Sequence, residues 1–429
     1  MHLPPRIDTV VVGAGQSGIA ASHLLSKAGR EHLVIERRES LGGGWQERWD
    51  AFRLVTPNWT SALPGYPYDG DDRDGFMPRD EIAARIARYA AVVGAPVVGG
   101  VEVVRLSPTD PGFHLETSAG RVEAAHVIVA TGSFHTPTRP AIATALPPRL
   151  TQLHTHDYRN ERSLPDGAVL VVGSGQSGVQ IAEELLDAGR ETYLAVGSAG
   201  WAPRRYRGQD IFRWLWSLAA DGARVGVPFP TADRLPDPRM RLAANPQLSG
   251  HGGGHDVDLR AMAERGLGLV NRLVGIDGER MRFAPALDAA LAHSEGSFDE
   301  RFRPLIDRYI ELAGVDAPPE ERTRSTFAPP ERTELDLGAA GVSSVIWASG
   351  YRPDFGWIDA PIVDEQGLPR NRRGLGEIDG LGFLGLLWQH TQASATLFGP
   401  TQDAAWLLDA MGLASPPVAN SIDIATPIA

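Results

Sequence analysis

The chain has 429 residues, with 41 Lys and Arg against 53 Asp and Glu, and this length predicts two or three domains. The formal net charge of −12, without any basic block, argues against a nucleic-acid partner and against binding to an anionic membrane surface. The sequence has no cysteine, which excludes disulfides, thiolate nucleophiles, Cys-ligated zinc and iron–sulfur clusters, so any redox chemistry must use a bound cofactor.

The N-terminal stretch "MHLPPRIDTVVVGAG" ends its apolar run at a glycine turn. It therefore lacks the layout of a signal peptide, and we expect a cytoplasmic protein. No apolar run approaches the roughly 20 residues that span a bilayer, so no membrane association is expected.

Two stretches carry nearly the same ten letters, "VVGAGQSGIA" from Val11 and "VVGSGQSGVQ" from Val171. Each begins at the end of a β-branched run that predicts a buried strand. Each continues into a helix with an apolar stripe. Strand, G-x-G-x-x-G turn and helix form a dinucleotide-binding unit, whose glycines permit the tight turn, the approach of a pyrophosphate and the packing of the helix. The sequence thus predicts two nucleotide sites. The glycines concerned are Gly13, Gly15 and Gly18 in the first unit and Gly173, Gly175 and Gly178 in the second.

The second strands of the two units end differently. "LVIE" places Glu36 where an acid hydrogen-bonds a ribose diol, which suits FAD or NAD. The equivalent position in the second unit is Val196, and the arginines that follow, Arg204 and Arg205, suit the 2′-phosphate of NADP. The sequence leaves open that these arginines merely cover a surface. We interpret the first site as the flavin site and the second as the NADP site.

Between the two units, "GGGWQERWDAFRLVTPNWTSALPG" (Gly42–Gly65) is rich in Gly, Pro and Trp, which is typical of a loop that frames a ligand. A helix is predicted over Glu81–Val93. A hairpin follows, with its strands "GFHLET" and "RVEAAHVIVA" separated by Ala119-Gly120. The strand and turn "VIVATG" (Val127–Gly132) end this part of the chain.

After the second unit, the stretch from about Trp201 to Arg301 contains a long part without clear periodicity, so it is a functional lid or an irregular linker. A helix is expected over Arg301–Gly314. "SSVIWASGYRPD" (Ser343–Asp354) repeats the strand and turn of "VIVATG" as the chain returns to the first domain. "TLFGPTQDAAWLLDAMG" (Thr396–Gly412) predicts a turn and a helix, and the tail that follows is expected to fray.

These patterns predict an α/β fold with two Rossmann-like domains, in which an NADP domain is inserted into a discontinuous FAD domain. We place the first part of the FAD domain at 1–160 and the second at 336–429. The NADP domain is placed at 161–335, with a lid-like insertion at about 201–300.

The ordered set of motifs resembles the class B flavoprotein monooxygenases, which include the flavin-containing monooxygenases, and it looks most like their bacterial branch. Besides the glycine motifs and Glu36, the resemblance is carried by "GGGW", "LVTPN" with "LPG", "ATG", "LHTHDY", "ASGYRPD" and "FGPTQDA", which span almost the whole chain. The family mark before the second unit is incomplete. "LPPRLTQLHTHDY" keeps His154, Thr155 and Tyr158 but has neither the Phe nor the Gly of that mark. The Baeyer–Villiger version of the mark ends differently, so ester-forming chemistry is less favoured.

Two histidines in this mark, His154 and His156, also raise the question of a metal pair. No third ligand is in view, so no metal site is predicted. A hinge or core role for His154 remains the main alternative.

The resemblance implies cofactor-binding residues along both domains, and FAD and NADPH as the cofactors. For FAD these are Gly13, Gly15, Gln16, Ser17, Gly18, Glu36, Arg37, Gly44, Trp45, Val101, Ala130, Thr131, Gly132, Leu397 and Asp403. For NADP they are Gly173, Gly175, Gln176, Ser177, Gly178, Arg204 and Arg205.

The resemblance also implies a reaction. NADPH would reduce the flavin, O2 would form a C4a-hydroperoxide, and one oxygen would pass to a nitrogen or sulfur of a small-molecule substrate. Asn58 is predicted to lie near the flavin C4a, unless it is a turn residue after Pro57. Trp45 is predicted to lie along the isoalloxazine, unless it is a packed structural tryptophan. The sequence is also compatible with a homodimer.

Two other functions remain open from the sequence alone. One is a flavoprotein reductase or oxidase that passes electrons from NADPH to a partner or to O2. The other is a redox sensor that binds FAD with negligible NADPH turnover.

Overall fold

The computed structural model describes residues 3–414. The strands of this part are, in chain order, β1 (Arg6–Val12), β2 (His32–Ile35), β3 (Val97–Val98), β4 (Val103–Pro108), β5 (Phe113–Thr117), β6 (Gly120–Val129), β7 (Thr136–Pro137), β8 (Thr151–His154), β9 (Ala168–Val172), β10 (Thr192–Ala195), β11 (Arg205–Tyr206), β12 (Gln209–Asp210), β13 (Gly268–Val270), β14 (Leu273–Asp277), β15 (Arg280–Phe283), β16 (Glu334–Asp336), β17 (Val342–Trp347), β18 (Tyr351–Arg352), β19 (Asn371–Arg372), β20 (Leu375–Gly376) and β21 (Leu381–Phe383). The α-helices are α1 (Gln16–Lys27), α2 (Arg79–Val92), α3 (Gln176–Asp187), α4 (Ile211–Asp221), α5 (Leu259–Glu264), α6 (Leu287–Arg301), α7 (Arg303–Ala313) and α8 (Gly399–Ala410). The tail that we expected to fray lies, from residue 415 onward, outside the described residues.

The first sheet is built around the first glycine unit. Its strand order is β19-β20-β21-β6-β1-β2-β3, and β21, β6, β1, β2 and β3 run parallel. The long strand β6 also pairs with β5 in the predicted hairpin, and β4 adds to that hairpin. Val10 and Val11 at the centre of β1 are fully buried, as expected for a parallel strand covered on both faces. The helices α1 and α8 pack against each other beside this sheet.

The second sheet repeats this arrangement around the second glycine unit. Its order is β13-β10-β9-β17-β8, and all five strands run parallel. Each sheet therefore has the glycine-turn strand at its centre, with the second strand of the unit on one side and a strand from later in the chain on the other. The predicted α/β class with two dinucleotide-binding domains is confirmed.

The pairing of two strands differs from the domain boundaries drawn on the sequence. Those boundaries placed Thr151–His154 and Val342–Trp347 in the FAD domain, whereas both strands pair within the second sheet. The reason is that β9 is a central strand and needs a hydrogen-bonded neighbour on each side, and β17, with Val345, Ile346 and Trp347 fully buried, is that neighbour. The second domain therefore begins before residue 161 and extends past residue 335.

The insertion is also shorter than the sequence indicated. Gly268–Val270 is the third parallel strand of the second sheet, so the insertion between β10 and β13 covers residues 196–267, and the chain leaves the sheet again between β13 and β17. Helix α6 was missed because its buried face carries Ser294 and Ser297 beside Leu291 and Phe298, which interrupts the apolar stripe. The helix predicted at Arg301–Gly314 is present as α7.

The insertion contacts both parts of the first domain. Trp216 of α4 packs edge-on against Trp59 and Phe398, which come from the two parts, with ring centres 5.6 and 3.9 Å apart. Further along, the backbone N–H of Ala232 donates to the carbonyl of His390 at 2.8 Å. The insertion therefore bridges the two parts of the first domain beside the glycine turns. Among residues 3–414, no helix is both long and apolar enough to cross a membrane.

Candidate functional site

The first glycine turn opens onto a cavity at the carboxyl end of β1. Gly13 has φ +103°, and a Cβ there would lie 2.7 Å from the carbonyl oxygen of Ala130. A Cβ on Gly18 would overlap the carbonyl oxygen of Gly13. By contrast, a Cβ on Gly15 would meet nothing within 4 Å, because Gly15 faces open space at the start of α1. The turn therefore presents backbone N–H groups and a helix N-terminus to the cavity, which suits a phosphate group.

The acid of the first unit lies in the wall of this cavity. Glu36 is buried, and its carboxylate accepts hydrogen bonds from the backbone N–H of Ala14 at 2.8 Å and of Arg38 at 3.0 Å. These two bonds fix the orientation of the carboxylate. Each oxygen has a second lone pair, so the group can still accept a ribose hydroxyl from the cavity.

The cavity has a volume of about 630 Å³ and contains most of the predicted flavin-binding residues. Twelve of the fifteen line it: Gly13, Gly15, Gln16, Ser17, Glu36, Arg37, Gly44, Trp45, Val101, Ala130, Thr131 and Gly132. Gly18 lies beneath the turn, where it lets α1 approach β1. An elongated, anionic dinucleotide such as FAD fits this cavity by chemistry, with the phosphates at the glycine turn and a ribose at Glu36.

Leu397 and Asp403 do not line the cavity. Leu397 is buried just before α8, and Asp403 is buried within α8 with no hydrogen-bond partner among the described residues. Burial raises the pKa of Asp403 to about 6, although Ser394 and the guanidinium of Arg373, 3.7 Å away, act in the opposite direction. The nearby residues that reach the cavity are Ala395 and Gly385.

Several cavity residues were missed by the sequence analysis. His135 lines the cavity, and its Nδ1 accepts the backbone N–H of Asp354, the aspartate of "ASGYRPD", at 2.8 Å. Burial lowers the pKa of His135, so the neutral ring is favoured. Gly385 was missed too. It lies against the glycine turn, since a Cβ there would be only 2.5 Å from the hydroxyl oxygen of Ser17. One signal in the sequence could have pointed to these residues, the motif "ASGYRPD". It repeats the strand and turn of "VIVATG", and both turns lie at the ends of central strands.

The wall where the two domains meet carries four side chains, Trp45, Arg48, His156 and Tyr351. The indole N–H of Trp45 donates to Oε1 of Gln16 at 3.3 Å, which ties this wall to the glycine turn. The guanidinium of Arg48 lies 6.0 Å from the centre of the Trp45 ring and donates no hydrogen bond to any residue between 3 and 414. It can therefore donate to an anionic group held in the cavity. Burial raises the pKa of Tyr351, so its hydroxyl stays protonated.

Asn58 lies outside this cavity lining. Its side-chain amide donates to the carbonyl of Asp72 at 2.9 Å, and its Oδ1 accepts the backbone N–H of Met77 at 2.7 Å. The side chain is buried and closes the loop between residues 58 and 77. This geometry matches the alternative of a structural turn residue, and a role of Asn58 near the flavin remains a prediction.

Of the two histidines, His154 has a structural role. Nε2 of His154 donates to the carbonyl of Gly350 at 2.9 Å, while Nδ1 accepts the backbone N–H of His156 at 3.1 Å. Both ring nitrogens are thus engaged, and His154 joins β8 to the turn after β17. No group of three or more metal-ligating side chains occurs within residues 3–414.

The second glycine turn has the same backbone geometry as the first. Gly173 has φ +111°, and a Cβ there would lie 2.6 Å from the carbonyl of Ala348, while a Cβ on Gly178 would overlap the carbonyl of Gly173. The position after β10 differs, since Val196 replaces the acid. There the hydroxyl of Ser174 accepts the backbone N–H of Gly197 at 2.9 Å. A free 2′-hydroxyl therefore has no carboxylate to bind at this turn.

The two predicted arginines lie in different environments. Arg204 is buried, with Nε 3.0 Å from Asp210, Nη1 donating to the carbonyl of Val55 at 2.7 Å, and the guanidinium between the rings of Phe76 and Phe212. Arg205 is exposed in the hairpin of β11 and β12. The structure thus commits Arg204 to packing between the insertion and the first domain, whereas a role of Arg205 at the nucleotide remains a prediction.

Substitution of these arginines should separate the two roles. Arg204→Ala is expected to destabilise the protein by about 3–5 kcal/mol, because it leaves Asp210 buried without its partner. Arg205→Ala is expected to keep the melting temperature and to raise the KM for NADPH about ten-fold without changing that for NADH. Thermal melts and steady-state kinetics with both nucleotides check this. An unchanged nucleotide preference in Arg205→Ala would remove Arg205 from the site.

Comparisons with known proteins agree with this fold. A family model described as pyridine nucleotide-disulphide oxidoreductase matches residues 10–215. The CzcO-like oxidoreductase of Geobacillus kaustophilus is 31% identical over 406 residues, which cover 94% of this chain and 97% of the relative. An indole-3-pyruvate monooxygenase of Oryza sativa is 30% identical over 218 residues, 48% of this chain and 53% of that protein. The solved flavin-containing monooxygenase from Stenotrophomonas maltophilia shares the fold, with a TM-score of 0.66 at 22% identity over 95% of this chain and 99% of that one.

Proposed function

Because the chain belongs to the CzcO-like oxidoreductases and shares the fold of a flavin-containing monooxygenase, we propose that it is an NADPH-dependent flavin monooxygenase of class B. Its substrates would be O2 and a small-molecule nucleophile, with oxygen transfer to nitrogen or sulfur favoured. FAD and NADP are the cofactors of the family. The disulphide chemistry in the name of the matched family model does not apply here, because this chain has no cysteine.

One observation carries the proposal: two glycine turns with the same backbone end in different ribose sites. The first has Glu36, fixed by two backbone N–H groups, at an open cavity. The second has no acid, and there the hydroxyl of Ser174 accepts the hydrogen bond from the backbone N–H of Gly197. A pair of unlike sites is what a flavoprotein needs when one nucleotide is held permanently and another is exchanged in each turnover.

The residues of the chain would bind and shield the cofactor rather than perform the chemistry themselves. Bound FAD would supply electron transfer from NADPH and activation of O2. Trp45, held by Gln16, would exclude water from one side of the site. Arg48 would donate to an anionic group, and neutral His135 would hold the turn at Asp354 against the cavity.

Rapid mixing of the NADPH-reduced holoenzyme with O2 in the presence of NADP⁺ tests the function. A monooxygenase should show a persistent absorbance distinct from both oxidised and reduced flavin, and little hydrogen peroxide. Candidate amines and thioethers should speed its decay and yield one oxygenated product per NADPH.

Immediate return to oxidised flavin with one hydrogen peroxide per NADPH would instead indicate a reductase or oxidase. An added electron acceptor should then accelerate NADPH consumption. Bound FAD with negligible NADPH turnover would indicate a sensor. Either result would reject the monooxygenase.

A further inference from the structure

A segment of the insertion lies directly over the second glycine turn. We call residues 244–256 the strap. A Cβ placed on Gly175 would lie 3.9 Å from the Cβ of Ala244, which is ordinary van der Waals contact. Gly175 is the glycine at which a pyrophosphate must approach the backbone. Gly175 has no Cβ, so the gap between it and Ala244 would hold a methyl carbon but not a phosphate group, and the strap covers the place that the nucleotide needs.

The strap is also hydrogen-bonded to the turn itself. The side-chain amide of Gln247, which is 1% exposed, donates to the carbonyl of Ser174 at 2.8 Å, while the backbone N–H of Gln247 donates to the carbonyl of Gly200 at 2.8 Å. In the other direction, the side-chain amide of Gln176 donates to the carbonyl of Leu248. Both Ser174 and Gln176 belong to the G-x-G-x-x-G turn, so the strap uses polar groups beside the predicted pyrophosphate position.

A second attachment lies further along α3. The carboxylate of Glu183 accepts the hydroxyl of Ser249 at 2.9 Å and pairs with Nε2 of His255. The hydrogen bond that His255 donates to Glu183 raises the pKa of His255. Burial acts to raise the pKa of Glu183, but the bonds from His255 and Ser249 outweigh it, so that pKa is lowered. Glu183 therefore holds the strap through two donors, an imidazole and a hydroxyl.

Between these two attachments, α3 buries an unsatisfied amide. Gln176, Gln180 and Glu183 are spaced i, i+4 and i+7, so they lie on one face of the helix. Gln180 is 2% exposed, and neither atom of its carboxamide has a hydrogen-bond partner among the described residues. A buried carboxamide without partners is costly. The polar face of α3 that holds the strap therefore contains a side chain without hydrogen bonds while the strap is closed.

We propose that the strap is a closed gate on the pyridine-nucleotide site, which Gln176, Gln247 and the Glu183 attachment hold shut, and that NADPH binds only after the strap leaves α3. This inference rests on the proposed use of NADPH. It gives the insertion a function beyond bridging the two parts of the first domain. The affinity for the nucleotide is then reduced by the fraction of molecules in which the strap is closed.

Hydrogen exchange of the holoenzyme is the first test, because it needs no substitution. Saturating NADP⁺ should increase amide exchange across residues 244–256 while decreasing it at the turn of residues 173–178. If NADP⁺ binds and exchange in the strap falls or stays unchanged, the strap is not a gate, and the proposal is overturned.

The second test weakens the attachment of the strap to Glu183. Ser249→Ala with His255→Ala removes both partners of Glu183 and should lower the Kd for NADP⁺ about ten-fold, the factor typical of one charged hydrogen bond. His293→Ala, at an exposed histidine on α6, is the matched control and should leave that Kd unchanged. An unchanged Kd in the double variant, measured by calorimetry, would contradict the gate.

A complete failure of nucleotide binding is a separate outcome. If the wild type and the double variant both fail to bind NADP⁺, the proposed NADPH dependence is wrong and the gate falls with it.

Discussion

Glu36→Ala is expected to purify with little flavin and to bind added FAD about 10- to 100-fold more weakly than the wild type. Hydrogen bonds to a charged group contribute about 1.5–3 kcal/mol each, and the ribose would lose such a bond. The backbone N–H groups of Ala14 and Arg38 would also lose their acceptor, so the turn itself would be less well ordered. The measurement is the flavin-to-protein absorbance ratio, followed by titration of the apoprotein with FAD.

Glu39→Ala is the matched control for this substitution. Glu39 is an exposed acid only three residues away, outside the cavity lining, so its removal changes the net charge equally without touching the ribose position. It should retain full flavin. A Glu36→Ala protein that keeps a full complement of FAD, with unchanged affinity, would show that the first glycine unit does not hold the flavin as proposed.

Gly178→Ala is expected to lower the rate of flavin reduction by NADPH about 100-fold while FAD stays bound. A Cβ at this position would overlap the carbonyl oxygen of Gly173. The obstacle is backbone rather than a flexible side chain, so α3 must move away from β9. A shift of about 1 Å in a positioning element typically costs about that factor. Stopped-flow reduction under anaerobic conditions measures the effect directly.

Two other glycine substitutions serve as comparisons for Gly178→Ala. Gly18→Ala, the equivalent change in the first unit, should instead abolish FAD binding, because its Cβ would overlap the carbonyl of Gly13. Gly296→Ala on α6 meets only the side chain of Glu300 at 3.7 Å and should change neither cofactor. If Gly178→Ala and Gly18→Ala had the same effect on flavin content, the assignment of one cofactor to each turn would be wrong.

The local geometry of both turns was predictable because it is set by short-range sterics. Gly13 and Gly173 must adopt positive φ beside a neighbouring carbonyl, and only glycine does so without strain. Glu36 could be predicted because it lies at a fixed distance along the same unit. Most of the cavity lining was implied by the resemblance, and these residues meet because the ends of adjacent parallel strands lie at one edge of a sheet.

Predictions that depended on distant contacts fared differently. Arg204 follows the second unit closely, yet its guanidinium pairs with Asp210 and reaches Val55 in the first domain. Asn58 carries the right chemical group, yet it binds backbone groups of residues 72 and 77. In both cases the sequence offered a suitable side chain, and a tertiary partner determined where it points.

The sequence by itself determined two dinucleotide units, the acid that distinguishes them and the exclusion of thiol chemistry, because each follows from residue type at short fixed spacing. Only the tertiary structure decided that β8 and β17 complete the second sheet and that the strap covers Gly175. Strand partners and covering segments are selected by burial and hydrogen bonding between residues far apart in the chain, and these interactions leave no periodic signal in the order of the amino acids.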